Sequence, residues 1–137
     1  MPQQYAIDTN IMMRYILQDD EQQYEQVLQL IHHLIAKNSV ADVSSIVCTE
    51  IEYLLRKLAS CEKEEVITIF KALMNKAYFH FDEEAIRAVE IYKDINTDFS
   101  DILIGEYGRT GEKLTISFDK KSCSRLDTFI TLESVKL

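Results

Sequence analysis

Tyr5-Ala6-Ile7-Asp8-Thr9-Asn10 is the stretch that orders the rest of the chain. Its three apolar residues are too few for a helix and suit a short buried strand, and the run stops at an acid. Residues 10–18 then carry Ile11, Met12, Tyr15 and Ile16 at helical spacing, with Met12 and Met13 expected in the core. Strand gives way to helix within a few residues, and the same switch recurs along the chain. Asp19-Asp20-Glu21 suits a helix N-terminus, and Val27, Leu28, Ile31, Leu34 and Ile35 follow on one face. Residues 39–43 read as a strand, with Ser44 or Ser45 capping a helix that carries Val47, Ile51, Leu54, Leu55 and Leu58.

Ser60 is the expected N-cap of a further helix over 60–77, with Val66, Ile67, Phe70 and Leu73 inward. Residues 78–81 form an aromatic run that suits a strand, and 82–95 a helix with Ala85, Ile86, Val89 and Tyr92 inward. Asp98-Phe99-Ser100-Asp101 opens another helix, 113–118 is a strand ending at Asp119, and 128–132 is a last strand. Strands alternating with helices predict an α/β fold with a parallel sheet flanked by helices.

The 137 residues suit one domain spanning 1–137, and a 47% apolar share is enough for a core. Lys and Arg total 15 against 23 Asp and Glu, a net charge of −8. That balance opposes non-specific adhesion to polyanions, so any nucleic-acid contact must be local. Three glycines exclude the Gly-rich phosphate loops of dinucleotide-binding and P-loop proteins. Cys48, Cys61 and Cys123 form no Cys-x-x-Cys pair, which excludes zinc knuckles and thioredoxin-like sites and suits reduced, mostly buried thiols. Met1-Pro2-Gln3-Gln4 lacks the basic and apolar regions of a leader, and no window reaches the roughly 20 apolar residues of a membrane span. A cytoplasmic chain with no membrane contact is expected.

Asp8 and Asp119 each follow a predicted strand, at the end where open parallel sheets place their ligands. Glu50 lies early in a helix after a third strand, and Asp98 and Asp101 share a helix face. Acids gathered from four segments repel one another unless a cation sits between them, and oxygen-only donors suit Mg²⁺ or Mn²⁺. Each acid also has a plainer role open to it. Asp8 suits a helix cap, Asp98 and Asp101 a capping box, Asp119 a turn, and Glu50, near Glu52, a solvated helix face. His32 and His33 are adjacent on a helix and cannot share a metal, and His80 reads as packed or exposed. A receiver domain or a haloacid-dehalogenase-like phosphatase wants a second acid where Asp8-Thr9-Asn10 has none.

Four segments, in order, resemble the motifs of PIN domains, especially the VapC-type toxin ribonucleases. Ile7-Asp8-Thr9-Asn10 resembles the opening of that family, and residues 43–50 with Leu54-Leu55-Arg56 its Glu-bearing helix. Asp98-Phe99-Ser100-Asp101-Ile102-Leu103-Ile104-Gly105 resembles the third motif, and Thr115-Ile116-Ser117-Phe118-Asp119 the fourth. The resemblance implies a three-layer α/β/α fold with a mainly parallel central sheet. It also implies a metal site built on Asp8, Glu50 and Asp101, with Asp98 and Asp119 as more variable additions. Thr9 and Ser117 would hold the acids or their waters, and Asn10 would shape the first loop. Gly105 stands where these toxins usually have Ala, a difference worth roughly 1 kcal/mol of helix propensity.

What the resemblance implies in function is Mg²⁺- or Mn²⁺-assisted hydrolysis of an RNA phosphodiester, catalysed through Asp8, Glu50, Asp101 and Asp119. Arg14, Lys120, Lys121 and Arg125 are candidates to grip the RNA backbone, or else ordinary solvated cations. A cognate antitoxin protein and a homodimer are the implied partners. The rival expectation is a PIN fold that binds nucleic acid or protein and no longer cuts.

Overall fold

A computed structural model describes residues 4–137; Met1, Pro2 and Gln3, on which the reading of no leader partly rests, lie outside them. The chain divides into two compact units, Met1–Asp82 and Glu83–Leu137. The first runs β1 (Tyr5–Ala6), α1 (Thr9–Leu17), α2 (Glu21–Ala36), β2 (Ala41–Val43), α3 (Ser45–Lys57), α4 (Lys63–Met74) and β3 (Phe79–Phe81). The second runs α5 (Glu83–Asp94), α6 (Phe99–Thr110), β4 (Thr115–Ser117), α7 (Lys120–Arg125), β5 (Phe129–Thr131) and a closing 3-10 turn, Leu132–Ser134. No helix among the described residues is long and apolar enough to cross a membrane.

The strands form two ladders, β1-β2-β3 in the first unit and β4-β5 in the second, and every pairing among the described residues is parallel. This is the expected α/β class. Parallel neighbours need a crossover, and helices supply it. Asp42 lies opposite His80, and both stand outward with Nδ1 and Oδ1 3.2 Å apart, while Ala41, Val43, Phe79 and Phe81 point into the core. In the first unit Met12, Leu34, Ile51, Leu55, Val66 and Phe70 are fully buried, and in the second Ala85, Ala88, Val89, Phe99 and Ile102.

Several elements begin elsewhere than their sequence suggests. Ser60 does not cap a helix: its φ of 56° is left-handed, whereas an N-cap needs extended backbone. Glu62 caps α4 instead, in a reciprocal box with Glu65, whose Oε1 accepts from the Glu62 N–H at 3.0 Å. Ile35, Leu58 and Ile86 are exposed and not inward, and Ala88 takes the buried place on α5. Glu50 is exposed, whereas its neighbour Glu52 is buried against Arg56 one turn on. None of the three cysteines is in a disulfide; Cys48 is buried and Cys61 and Cys123 are only half-buried.

Aromatic contacts hold β3 to α1. Phe79 meets Tyr15 and Tyr78 edge to face at 5.5 and 4.8 Å, and the two tyrosine hydroxyls lie 2.7 Å apart. Burial, then the Tyr78 hydrogen bond, pushes the Tyr15 phenol up to about 12. A phenol raised in the folded state holds its proton there after the unfolded chain has released it. Its stability contribution is therefore complete below pH 10, the ordinary value, and is lost as pH climbs towards 12. Urea unfolding from pH 9 to 12 is expected to show that loss, and the Tyr15→Phe variant a flatter profile over the same range.

Gly105 is fixed by space. A Cβ there would lie 2.2 Å from Thr128 Oγ1, 2.9 Å from Thr128 Cβ and 3.0 Å from Phe129 Cε1. Rotating Thr128 would move only the first of these. Ala gains about 1 kcal/mol of helix propensity but overpacks a buried contact, which costs about 1–3 kcal/mol. Gly105→Ala is therefore expected to be destabilising by about 1 kcal/mol in urea titration; a gain would mean that α6 can move off β5.

Towards its other end, α6 carries Glu106, only 2% exposed. Arg87 Nε donates to its Oε1 at 2.8 Å, and Arg109 Nε reaches both carboxylate oxygens at 3.0 Å. Arg109 also donates to Asp127 at 2.6 Å, so one buried acid is compensated by two cations on the rim.

Candidate functional site

In the first unit the loop after β1 places Asp8 at the N-cap of α1, where its Oδ1 accepts from the Ile11 N–H at 3.1 Å. Thr9 is buried, and its hydroxyl donates to Glu50 Oε1 at 2.9 Å. Glu50 lies in the second turn of α3, whose start Ser44 fixes by accepting from the Val47 N–H. A buried threonine thus holds an exposed glutamate across 41 residues of chain. Asp82, just past β3, accepts from the Ser45 hydroxyl at 3.1 Å. Asp8, Ser44 and Asp82 follow β1, β2 and β3, so they line the carboxyl edge of one parallel sheet.

In the second unit Asp98 occupies the N-cap of α6 without making a side-chain cap bond. Asp101, in the first turn, does not reach back to close a capping box; its Oδ2 accepts from the Ser122 hydroxyl at 3.3 Å. Asp119 caps α7, accepting from the Ser122 N–H at 3.1 Å, and donates its own N–H to Ser117 Oγ at 2.9 Å. Buried Ser122 therefore ties two acids together, one through its hydroxyl and one through its main chain.

The electrostatics follow from this geometry. Burial pushes the Asp101 carboxyl above its ordinary range, and the Ser122 hydroxyl draws it back. The Asp98 and Asp119 charges push it up further, against the pull of Lys121. Asp119 is held below its ordinary value, first by the Ser122 N–H.

These donors fit a hard divalent cation. They are oxygens with no thiol or imidazole among them, and Asp101 carries an acid–acid repulsion that a cation would relieve. Thr97 Oγ1, one residue before Asp98, is buried without a partner among the described residues. Within neither unit, however, do three or more described His, Cys, Asp or Glu side chains form a group that could hold a metal ion. Asp101 feels the charges of Asp98 and Asp119, but the three acids do not converge on one point.

The four candidate cations divide in two. Arg14 donates to Gln23 and pairs with Asp19 at 3.3 Å, and Arg125 donates to the Asn96 carbonyl. Lys120 and Lys121 stand exposed on α7. Asn10 is exposed in the first turn of α1. Two residues of this neighbourhood escaped the sequence reading. Asp82 was visible as an acid after a strand; Ser122 sits three residues after the Asp119 cap, a signal legible only once α7 is recognised.

A family model described as PIN domain matches residues 5–127. Comparison with curated proteins gave no match. Among solved structures the chain is similar to "VapBC2 from Rickettsia felis bound to a DNA fragment from their promoter", over 94% of this chain and 97% of that one. Identity there is 19% and the TM-score 0.40, a likeness too loose to place any residue. Matched over residues 5–127 of its 137, the chain belongs to the PIN domain family.

Proposed function

We propose that the chain is a divalent-cation-dependent endoribonuclease, the toxin of a VapC-type toxin–antitoxin pair, acting as a single cytoplasmic domain over residues 1–137. The observation that carries this reading is the Ser122 bridge between Asp101 and Asp119, in a chain that belongs to the PIN family. A structural capping role needs no such bridge and would not leave Asp101 facing two like charges. Support for the toxin type, a cognate antitoxin and a homodimer comes from the four ordered motifs.

The carboxylates proposed for Mg²⁺ or Mn²⁺ are Asp8 and Glu50 in the first unit and Asp98, Asp101 and Asp119 in the second. When bound, the ion supplies positive charge against the phosphodiester and the acidity that makes water a nucleophile near neutral pH. The protein's own share is positional. The Thr9 hydroxyl orients Glu50, and Ser117 steadies the loop that carries Asp119. Lys120 and Lys121 meet the RNA backbone, whereas Arg14 and Arg125, already engaged, contribute by shaping their loops.

The test is incubation of the full chain with total RNA in Mg²⁺ or Mn²⁺, with and without EDTA. Discrete cuts that vanish with EDTA and return with excess cation are expected. The rival reading, a PIN fold that binds without cutting, draws on the net charge of −8. It would prevail if RNA were retained on a filter and stayed whole under every cation.

A further inference from the structure

We propose that the depression lined by Ser117, Phe118, Lys120, Thr131, Leu132 and Glu133 receives one unpaired RNA base, with Phe118 as the ring on which it stacks. The inference rests on the nuclease reading and names where the substrate strand is held. The cavity measures about 240 Å³, room for a single heterocycle. Phe118 is 84% exposed, although it directly follows a strand and directly precedes the Asp119 cap. A bare phenyl ring in such a place is the feature to be explained, since aromatic rings are ordinarily withdrawn from water.

The other walls narrow the occupant. Ser117 and Thr131 face each other in the β4-β5 ladder, so the depression opens at the end of that ladder. Thr131 Oγ1 lies 2.6 Å from Ser134 Oγ, which pins the turn carrying Leu132 and Glu133. Leu132 offers a half-buried apolar surface opposite a polar rim. Glu133 is exposed and acceptor-only, suited to the exocyclic amine of adenine, cytosine or guanine and unsuited to a phosphate or an acidic peptide. Lys120 is exposed, within reach of the anion to which such a base is attached.

An amine-bearing aromatic ring joined to an anion is the chemistry of a nucleotide. Its base must be free of a partner, because in a duplex the faces are already stacked. Ser117 and Asp119 flank Phe118 and are hydrogen-bonded to each other, so a base stacked here places its strand beside an acid of the proposed centre. Stacking on an exposed aromatic reads any base, and the Glu133 acceptor can take a hydrogen from the exocyclic amine of adenine, cytosine or guanine.

The chain has no tryptophan, so the Phe118→Trp variant carries a single indole reporter. In Mg²⁺, over the time in which gels show the strand whole, a ten-nucleotide oligoadenylate is expected to quench that indole saturably. The matching abasic ribose–phosphate strand leaves it unchanged. By anisotropy, Phe118→Ala weakens binding of the same oligoadenylate to the full chain about ten-fold, while Phe118→Tyr stays within about two-fold of wild type. Circular dichroism checks that each variant is folded. If the strand binds but the indole is unmoved and Phe118→Ala binds equally well, the pocket is overturned and the nuclease reading stands. If Phe118→Ala instead shifts the elution volume without changing affinity, the ring belongs to a contact between copies and the pocket falls. If wild type shows no affinity for the strand, the pocket is overturned, and the cleavage assay on total RNA decides the nuclease reading separately.

Discussion

Asp101→Asn is expected to leave the melting temperature nearly unchanged and to lower RNA cleavage by at least about a hundred-fold. Outer-shell partners of a metal centre alone cost about 10- to 100-fold when removed, and a donor carboxylate costs more. Asparagine keeps the shape and can still accept from the Ser122 hydroxyl, so the tie at 3.3 Å survives. What disappears is the charge. Burial and the neighbouring Asp98 and Asp119 raise the Asp101 carboxyl, which makes that charge unfavourable to the folded state at neutral pH. A raised carboxyl contributes stability below its unfolded value, lost as pH rises through its folded value; the amide removes this dependence. Its position in the first turn of α6 offsets part of that, by about 0.3–1 kcal/mol. Thermal melts by circular dichroism beside a gel assay of cleavage check both halves. A collapsed melt would assign Asp101 to capping, and full activity would remove it from the site.

Two residues earlier, Phe99→Ala reverses the pattern. Phe99 is 1% exposed and meets Tyr92 of α5 edge to face at 5.3 Å. Truncating a buried phenylalanine costs about 3–5 kcal/mol, the transfer term plus the cavity left behind. A domain of this size holds about 5–15 kcal/mol in all, so the variant is left with a small margin. Urea unfolding should show a midpoint far below wild type, and cleavage should fall in step with the folded fraction. A loss below about 1 kcal/mol would mean that the ring does not anchor α6. On the proposed reading the charge two residues on serves the reaction, and the ring serves the fold.

Much of the fold was legible because the strands are short apolar runs ending at acids or serines, and the long helices have one apolar face. The missing element, α7, has the composition Lys-Lys-Ser-Cys-Ser-Arg. Six residues without an apolar stripe leave periodicity nothing to detect, and the segment carries no assignment from sequence. Ser60 misled because serine caps helices well, whereas the backbone there is left-handed and Glu62 forms the box. Ile35, Leu58 and Ile86 misled because periodicity reports which face a residue occupies and not where the cover on that face ends. At the site, residue type could not say which of the acids cap helices. Asp8 and Asp119 do cap helices. Asp98 and Asp101, whose spacing mimics a capping box, form none. Gly105 looked like a change in propensity and is a matter of contact with Thr128.

The Glu106 clamp has a wider consequence for α6. With Arg87 and Arg109 closed over it, the distal half of the helix is electrically quiet, and Asp98 and Asp101 at its start form no ion pair among the described residues. The helix is therefore polarised by composition, against the direction in which its own backbone dipole points. Added salt should screen the exposed acids at the start far more than the buried cluster beyond them. Ionic strength thus becomes a dial that addresses one end of a single helix, and a small cation drifting past meets a gradient along its axis in place of an even field.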